Sequence, residues 1–355
     1  MDTTWRLRYP DLYDYNATFT MWANYYTSGP RVRDSARLFA QGFVGPNATD
    51  LATIYALNAS DPASCGNTLA PSDLCKAYND AGGDPAKDMW DSIYLPPIAS
   101  RLNAKIQDGL NLTTSQADQI RYLCGFETQI TGRRSPFCDV FTNEEILQYE
   151  YAQDLRYWYG TGLGSDIEKY QMLLVVDMAA QRFVDGPNAT YNTGNGTFAP
   201  PKIMANFTND SQSNQLAAAI GVFDDQPQLH GNTSLPNRVF CSSQAVKMRG
   251  TIAFERLSCP AATHNSIYGR DTHNDYNSTA SEIFIQIPPT KSYILCWISI
   301  IKAKRAKAGD GTKLCNMTGE GFAPDPKATF FFNNTLPWQP VVKPQLPCQV
   351  LGHLE

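Results

Sequence analysis

The sequence has no apolar run long enough to cross a membrane as a helix. Its most apolar stretch, 293–301, is about half the length that a membrane-spanning helix needs. It has no Cys-x-x-Cys pair and no cysteine–histidine cluster with zinc-ligand spacing, which argues against a metal site. The net charge is −5, and an acidic chain of this kind is unsuited to non-specific nucleic-acid binding.

The composition is that of a globular protein with a sizeable core. Hydrophobic residues make up 43% of the 355 residues and aromatic residues 12%, whereas charged residues make up 18%. Disordered chains are poor in aromatic and aliphatic residues, so this composition argues against disorder. The length is sufficient for one large domain or two ordinary ones.

Cysteines and N-glycosylation sequons both indicate the secretory pathway. The nine cysteines are scattered along the chain, as disulfide-forming cysteines are: Cys65, Cys75, Cys124, Cys138, Cys241, Cys259, Cys296, Cys315 and Cys348. Twelve N-x-S/T sequons also span its length, at Asn16, Asn47, Asn58, Asn111, Asn188, Asn195, Asn206, Asn209, Asn232, Asn277, Asn316 and Asn333. We therefore expect an extracellular protein that carries N-linked glycans.

Two features do not fit a complete secreted chain. Residues 1–30 contain no apolar core of a signal peptide, although secretion requires one. The number of cysteines is odd, so one thiol lacks a partner within the chain. We expect that the true N-terminus is missing from this sequence.

Helical patterns dominate the middle of the chain. Val32, Ala36, Phe39 and Phe43 recur at helical spacing in 28–46, and residues 97–186 are also predicted to be mainly helical, after a loop-rich segment at 46–90. Capping boxes at 142–145 and 165–168 predict two helix starts there. Leu147, Tyr151, Leu155, Trp158 and Tyr159 form an apolar stripe on the first of these helices, and Ile167, Tyr170, Leu174 and Met178 are predicted to face inward from the second.

A strand, an aspartate and a helix follow one another near residue 210. Residues 203–207 read as a short strand and 213–222 as a helix, which places Asp210 at the carboxyl end of the strand. In an open α/β sheet that edge is where ligands bind, and a helix N-terminus favours anions. Further strands are predicted at 251–255 and 282–301, and the Pro-rich tail from 321 is predicted to wrap the surface.

Four stretches resemble fungal histidine acid phosphatases, the branch of the histidine phosphatase superfamily that includes phytases. They occur in family order: RVRDSARLFAQGF at 31–43, similar to the family's R-V-x-x-S-x-x-x-F-x-x-G-F; SPFCDVFT at 135–142, continuing through YEY at 149–151 and DL at 154–155 to YWYG at 157–160; FTND at 207–210, where the family has F-x-H-D; and FERLSC at 254–259. The stretch that begins at residue 135 is the most specific of the four.

The resemblance implies a fold and a division of the chain. The fold is α/β, a phosphoglycerate-mutase-like mixed sheet flanked by helices, with a mainly helical insertion. We expect 1–45 to be part of the α/β core with its N-terminal strand segment missing. Residues 46–145 are then the helical and loop insertion, and 146–355 the rest of the core with a C-terminal wrap. The implied substrates are small phosphomonoesters, and no cofactor or metal is implied.

The resemblance also implies a mechanism and its residues. In the family an Arg-His-Gly-x-Arg-x-Pro motif supplies a nucleophilic histidine, which forms a phosphohistidine, and two arginines. Arg31 matches the family's third phosphate-binding arginine, because a guanidinium fork fits phosphate oxygens. Asp210 matches the proton donor to the leaving alcohol. Cys124 and Cys138 resemble a family disulfide.

The sequence departs from the family at two places. Asn209 stands where the family usually has histidine; its amide can donate a hydrogen bond to phosphate but can never carry a positive charge. The Arg-His-Gly-x-Arg-x-Pro motif is absent, and none of His230, His264, His273 and His353 has that context. This chain therefore contains no candidate nucleophile, and His230 and His264 are predicted to be surface residues.

Two other functions remain open at this stage. A non-catalytic glycoprotein that binds phosphate esters or a partner protein would explain the missing nucleophile and Asn209. A glycan-processing enzyme would need paired carboxylates, for which Glu150 and Asp154, or Asp224 and Asp225, are available. No motif supports the second of these alternatives.

Overall fold

The computed structural model describes residues 2–14, 16–25, 29–58, 69–75, 77–106, 109–192, 197–246, 250–259 and 282–286. The chain divides into two compact units. The first unit comprises Met1–Tyr78, Tyr170–Ile220 and Thr251–Glu355, and the second comprises Asn79–Lys169 and Gly221–Gly250. The domain boundaries at residues 45 and 145 that the sequence suggested stay a prediction.

The described part of the chain is of the α/β class. Its strands are β1 (Phe19–Tyr25), β2 (Ala52–Asn58), β3 (Tyr191–Asn192), β4 (Thr197–Phe198), β5 (Ala205–Phe207), β6 (Glu255–Cys259) and β7 (Glu282–Gln286). Its α-helices are α1 (Asp2–Arg8), α2 (Arg31–Val44), α3 (Ala48–Leu51), α4 (Asp84–Asn103), α5 (Thr114–Thr131), α6 (Asn143–Thr161), α7 (Glu168–Gln171), α8 (Leu173–Asp185), α9 (Asp210–Ile220) and α10 (Ser242–Ala245). Single 3-10 turns occur at Pro71–Leu74, Asp80–Gly83 and Pro136–Asp139.

A parallel sheet forms the centre of the first unit. Its described strands have the order β2-β1-β5, with Phe19 opposite Ala52 and Ala23 opposite Phe207. Sequence patterns did not reveal β1, because it is buried on both faces and so lacks the alternation of a half-exposed strand. They did not reveal β2 either, because the polar sequons at Asn47 and Asn58 bracket it.

One face of this sheet packs on α2. Phe19 and Met21 of β1 lie in one apolar cluster with Ala40 and Phe43 of the helix. The ring centroids of Phe19 and Phe43 are 4.6 Å apart. The helix predicted from apolar spacing in 28–46 is therefore confirmed. It ends at Gly45, which has a φ of 92° that glycine tolerates without strain.

The second apolar cluster of this unit lies between α8 and α9. Leu173, Val176 and Phe183 of α8 are buried against Leu216 and Ile220 of α9. The helix predicted to start at the 165–168 capping box is interrupted, since α7 ends at residue 171 and α8 begins at 173. Ser165 does accept a hydrogen bond from the Glu168 amide, at 3.3 Å. The side chains of Leu174 and Met178 are outside the described part of the structure.

The predicted position of the strand at 251–255 is wrong, because the strand begins four residues later in the structure. The strand β6 spans Glu255–Cys259 and pairs antiparallel with β7, with Glu255 opposite Gln286. The alternation that suggested an earlier start has another cause, because Phe254 is buried in the α8–α9 cluster and Ile252 packs against that cluster. Residues 287–301 and the tail from 321 lie outside the described residues.

Helices α4, α5 and α6 form most of the second unit. Helix α4 begins at Asp84, inside the segment predicted to be loops, and the Pro85 that suggested a loop occupies its first turn. On α6, Tyr151, Leu155 and Trp158 are buried as predicted, but Leu147 is 60% exposed. The stripe is therefore a core face only from Tyr151 onward.

A buried arginine joins these three helices. The Arg121 guanidinium of α5 lies 3.9 Å from the ring centroid of Tyr149 on α6 and donates a hydrogen bond to the hydroxyl of Tyr94 on α4, at 3.0 Å. Asp118 neutralises its charge.

Cys124 of α5 forms a disulfide with Cys138, 14 residues further along the chain. Within the described residues, no helix is long and apolar enough to span a membrane.

The start of α6 combines the predicted capping box with an ion pair. The Thr142 hydroxyl accepts a hydrogen bond from the Glu145 amide at 3.2 Å, and the Glu145 carboxylate accepts one from the Thr142 amide at 2.8 Å. Arg101 of α4 donates two more to this carboxylate, at 2.7 and 2.6 Å. Burial raises the pKa of Glu145, but these hydrogen bonds outweigh burial, so the pKa lies below its usual value.

We expect Glu145→Gln to lower the free energy of unfolding at pH 7 by about 1–3 kcal/mol, because Arg101 loses its charged acceptor. A depressed folded-state pKa contributes stability that is present above the unfolded pKa and lost as the pH falls through the folded value. The difference from the parent protein should therefore shrink below about pH 4.3. Urea unfolding at several pH values measures it. Glu144→Gln, at an exposed neighbouring position, is the control; equal losses in both variants would contradict the role of Glu145.

We expect Gly83→Ala to destabilise the second unit by about 1–3 kcal/mol, because a Cβ there would overlap the backbone carbonyl of Arg156 on α6. Neither backbone can move without disturbing the contact between the 3-10 turn and α6. Gly125→Ala is the matched control, since nothing lies within 4 Å of that position. Urea unfolding compares the two, and an unchanged midpoint for Gly83→Ala would show that this close approach is absent.

Candidate functional site

The carboxyl edge of the parallel sheet is where the predicted site residues lie. Strand β1 ends there at Tyr25 and β5 at Phe207. Because the strands are parallel, the segments that follow them begin at the same edge of the sheet. Two residues separate β5 from helix α9, and five separate β1 from α2.

Arg31 is the first residue of α2. It is exposed, and its carbonyl accepts a hydrogen bond from the hydroxyl of Ser35 at 2.8 Å. The residue before it, Pro30, makes no side-chain cap, while its carbonyl accepts the Asp34 amide at 2.8 Å. A helix start of this kind leaves its first amides available to other acceptors, which favours a bound anion.

Asp210 is the first residue of α9, so the strand–aspartate–helix order predicted from sequence is confirmed. Asp210 is exposed and Asn209 is half-buried. The turn between β5 and α9 is fixed by Thr208, whose hydroxyl donates a hydrogen bond to the carbonyl of Leu69 at 2.6 Å. Gln212 adds a second tie to this segment by donating to the hydroxyl of Ser72 at 2.8 Å.

Packing between α2 and β5 brings the two helix starts to one edge. Phe207, the last residue of β5, packs against the cluster of Val32 and Ala36 from the first turns of α2. It also meets Phe39 edge to face, with ring centroids 5.4 Å apart. Arg31 directly precedes Val32, and Asn209 and Asp210 follow Phe207 by two and three residues. The fold thus gathers the predicted site residues on one side of the sheet.

Chemically, this edge combines cationic and hydrogen-bond-donating groups with the carboxylate of Asp210. A guanidinium, an amide and the amides of a helix N-terminus suit the oxygens of an anion such as phosphate. A carboxyl group beside them can give or take a proton at a leaving group. Among the described residues no cluster of histidine, cysteine and carboxylate side chains could hold a metal ion.

Sequence reasoning did not single out Arg33, which lies at the same edge. Its guanidinium carbon is 5.2 Å from the ring centroid of Tyr25, the last residue of β1. Its distance to Asp34 is 3.5 Å, and Arg37 lies 3.6 Å from the same carboxylate oxygen. The only signal in the sequence is the Arg-x-Arg spacing at the start of the helix, which is common on solvated helices.

The paired carboxylates considered for a glycan-processing enzyme have structural surroundings. Asp154 is fully buried, and it accepts hydrogen bonds from Arg238 and, at 2.6 Å, from the Ser242 amide. Glu150 pairs with the same Arg238 at 3.2 Å. Burial raises the pKa of Asp154, although Ser242 and Arg238 oppose that shift. Asp154 is closed to solvent, so this pair cannot act on a substrate.

The other acidic pair and the described histidine lie on the surface of the second unit. Asp224 and Asp225 are both exposed on a turn. His230 is exposed as predicted, and its backbone amide donates to the hydroxyl of Tyr151 at 3.1 Å. The remaining histidines, His264, His273 and His353, are outside the part of the chain that the structure describes.

The family of the chain follows from comparison with known proteins. The model of the histidine phosphatase superfamily (branch 2) matches residues 3–279, so the chain belongs to that family. This agrees with the resemblance found in the motifs at 31–43, 135–160, 207–210 and 254–259. The α/β fold expected from that resemblance is confirmed as well.

Its relatives are phytases and acid phosphatases of fungi. The chain is 28% identical to the phytase PHO112 of Candida albicans over 76% of its own length and 54% of the relative's. It is 30% identical to the acid phosphatase PHO1 of Komagataella pastoris, over 77% of this chain and 55% of that one. It is 31% identical to the thiamine-repressible acid phosphatase pho4 of Schizosaccharomyces pombe, over 61% of this chain and 43% of that one. The chain thus spans about half the length of these relatives.

A solved structure shares the fold. The crystal structure of the phytase from D. castellii superposes with a TM-score of 0.69 at 20% sequence identity. The match covers 94% of this chain and 68% of that one. At this identity the similarity establishes the fold and nothing finer.

We expect Thr208→Val to destabilise the turn that presents Asn209 and Asp210, by about 1–3 kcal/mol, because the buried Leu69 carbonyl loses its donor. Thr208→Ser keeps the hydroxyl and should retain most of the stability. Urea unfolding of protein without N-glycans measures both, since Thr208→Val also removes the Asn206 sequon. Equal stability of the two variants would show that the hydroxyl does not hold this turn.

Proposed function

We propose that the protein from which this chain derives hydrolyses phosphomonoesters, and that the carboxyl edge of the parallel sheet is its phosphate site. The observation that carries this proposal is that two helices begin at that edge, one with Arg31 and the other with Asp210. Membership of the histidine phosphatase superfamily supports it.

In this proposal Arg31 and Asn209 bind the phosphoryl group and Asp210 protonates the leaving alcohol. A phosphomonoester carries about two negative charges at neutral pH, which a guanidinium fork and helix-terminal amides offset. An alkoxide is a poor leaving group, so a proton delivered to its oxygen lowers the barrier to cleavage. Asp210 is exposed at the first turn of α9, where a substrate oxygen can reach it.

The proposal assigns the nucleophile to no residue of this chain. The family's phosphohistidine comes from an Arg-His-Gly-x-Arg-x-Pro motif, which does not occur among these 355 residues. The chain spans about half the length of its relatives, so activity is proposed for the whole protein. We further propose a phytase-like or acid phosphatase-type substrate range, which the names of those relatives support.

We also propose that the protein is extracellular and glycosylated. Five of its sequon asparagines are exposed in the structure, namely Asn16, Asn47, Asn111, Asn188 and Asn232. The disulfide between Cys124 and Cys138 is consistent with an oxidising compartment.

A second candidate function is binding of phosphate esters without turnover. One observation favours it: Asn209 stands where the family usually has histidine. The two functions share the phosphate site and differ in whether a phosphorus–oxygen bond breaks. Turnover by the protein expressed from its native gene therefore separates them.

We expect Asp210→Asn to slow hydrolysis of an alkyl phosphate such as glycerol 2-phosphate by roughly 10²–10⁴-fold in kcat. Hydrolysis of p-nitrophenyl phosphate should slow much less, because p-nitrophenolate leaves without a proton. Steady-state kinetics at pH 5 with both substrates measures the contrast. Asp84→Asn is the control, since Asp84 is also the first residue of a helix, in the other unit.

Equal losses on both substrates would contradict the role of Asp210 as proton donor. If the protein shows no turnover but binds inorganic phosphate, and Arg31→Gln weakens that binding, the second candidate function holds. If it neither turns over nor binds phosphate, both functions are wrong.

A further inference from the structure

Arg33 and Asn209 both lie at the carboxyl edge of the sheet. The last pair between β1 and β5 is Ala23 with Phe207; β1 runs two residues further, to Tyr25, and Asn209 follows Phe207 by two residues. The Arg33 guanidinium stacks on that tyrosine ring, at 5.2 Å. Because β1 and β5 are parallel neighbours, the guanidinium and Asn209 lie at the same edge of the sheet.

The Arg33 guanidinium lies on the α2 side of the sheet. Side chains alternate along a strand, so Tyr25 shares the face of Ala23, which packs on Val32 and Ala36 of α2. Phe207 packs on the same cluster from β5. Arg33 extends from α2 over this face, towards the strand ends that lead into Asn209.

The neighbours of Arg33 hold its guanidinium in place but do not use all of its hydrogen-bond donors. Its side chain is 23% exposed, whereas that of Arg37 is 65% exposed. Its Nε is buried and has no hydrogen-bond partner among the described residues. The Asp34 contact, at 3.5 Å, is longer than a charge-assisted hydrogen bond. Donors of this group therefore remain for a ligand, while the stack on Tyr25 limits its freedom.

Arg33 carries a positive charge that Asn209 cannot carry. Asn209 is neutral at every pH, whereas the histidine usual at that position in the family can be a cation. We propose that Arg33 is a further phosphate-binding residue of the site proposed above, and that it supplies the positive charge that Asn209 lacks. The inference rests on the proposed phosphate site at this edge. The charged groups around that site are Arg31, Arg33 and Asp34 in the first turn of α2 and Asp210 on α9, while Arg37 lies one turn further along α2.

The test is equilibrium binding of inorganic phosphate to the whole protein at pH 5, by isothermal titration calorimetry. We expect Arg33→Gln to weaken binding by roughly tenfold or more, as loss of a charged hydrogen bond does. Arg37→Gln is the matched control. It removes the same charge from the same helix beside the same Asp34, and should change the affinity less than about twofold because Arg37 lies one turn further from the start of α2 and its exposed charge is screened.

A second variant tests whether charge is what Arg33 contributes. Asn209→His in the Arg33→Gln background should restore phosphate affinity at pH 5, where the imidazole is protonated, and not at pH 8. Arg33→Lys, which keeps the charge without the stacking fork, should bind more tightly than Arg33→Gln. Circular dichroism spectra of all variants report whether they fold.

Failure of this inference is distinguishable from failure of the proposed function. If the parent protein binds phosphate and Arg31→Gln weakens it, but Arg33→Gln behaves like Arg37→Gln, the role of Arg33 is wrong and the site stands. If Asn209→His restores nothing at pH 5, Arg33 does not replace that charge. If the parent protein does not bind phosphate, the proposed site itself is wrong.

Discussion

The packing of α2 on β1 and β5 is the contact on which the rest of the candidate site depends. Phe207 fits against Val32, Ala36 and Phe39, so the end of a strand and the start of a helix from distant parts of the chain are held together. The burial is apolar and places no charge inside the sheet. The polar residues next in sequence, Arg31 and Asp210, are thereby presented at the surface of the edge. Hydrophobic packing thus determines where the charges of the site are.

Buried polar contacts organise much of the second unit. Arg121 joins α4, α5 and α6, Arg238 holds Glu150 and Asp154, and Arg101 binds the carboxylate of the α6 capping box. Removing one partner of such a pair leaves a charge without compensation, which costs more than the pair contributes. These arginines also account for the acidic pair that had suggested a different chemistry. Their role is to fix helix positions.

The sequence predicted those elements and residues whose signals lie within one short segment of the chain. Val32, Ala36 and Phe43 gave α2 by spacing, Thr142 and Glu145 gave the start of α6, and the position of Asp210 followed from the strand and helix around it. Strands β1 and β2 were missed because their pairing joins segments about 30 residues apart. Burial on both faces hides any alternation in β1, and polar sequons bracket β2. Arg33 was missed because only the pairing of β1 with β5 brings Tyr25, on which it stacks, and Asn209 to one edge of the sheet.

The central claim is that the edge where α2 and α9 begin is a phosphate site. A crystal structure of the protein with bound tungstate, a phosphate analogue with strong anomalous scattering, tests it most directly. We expect the oxyanion at the first turn of α2, within hydrogen-bond distance of Arg31 and of the turn that carries Asn209. Tungstate bound only elsewhere, or an empty edge at saturating concentration, would contradict it.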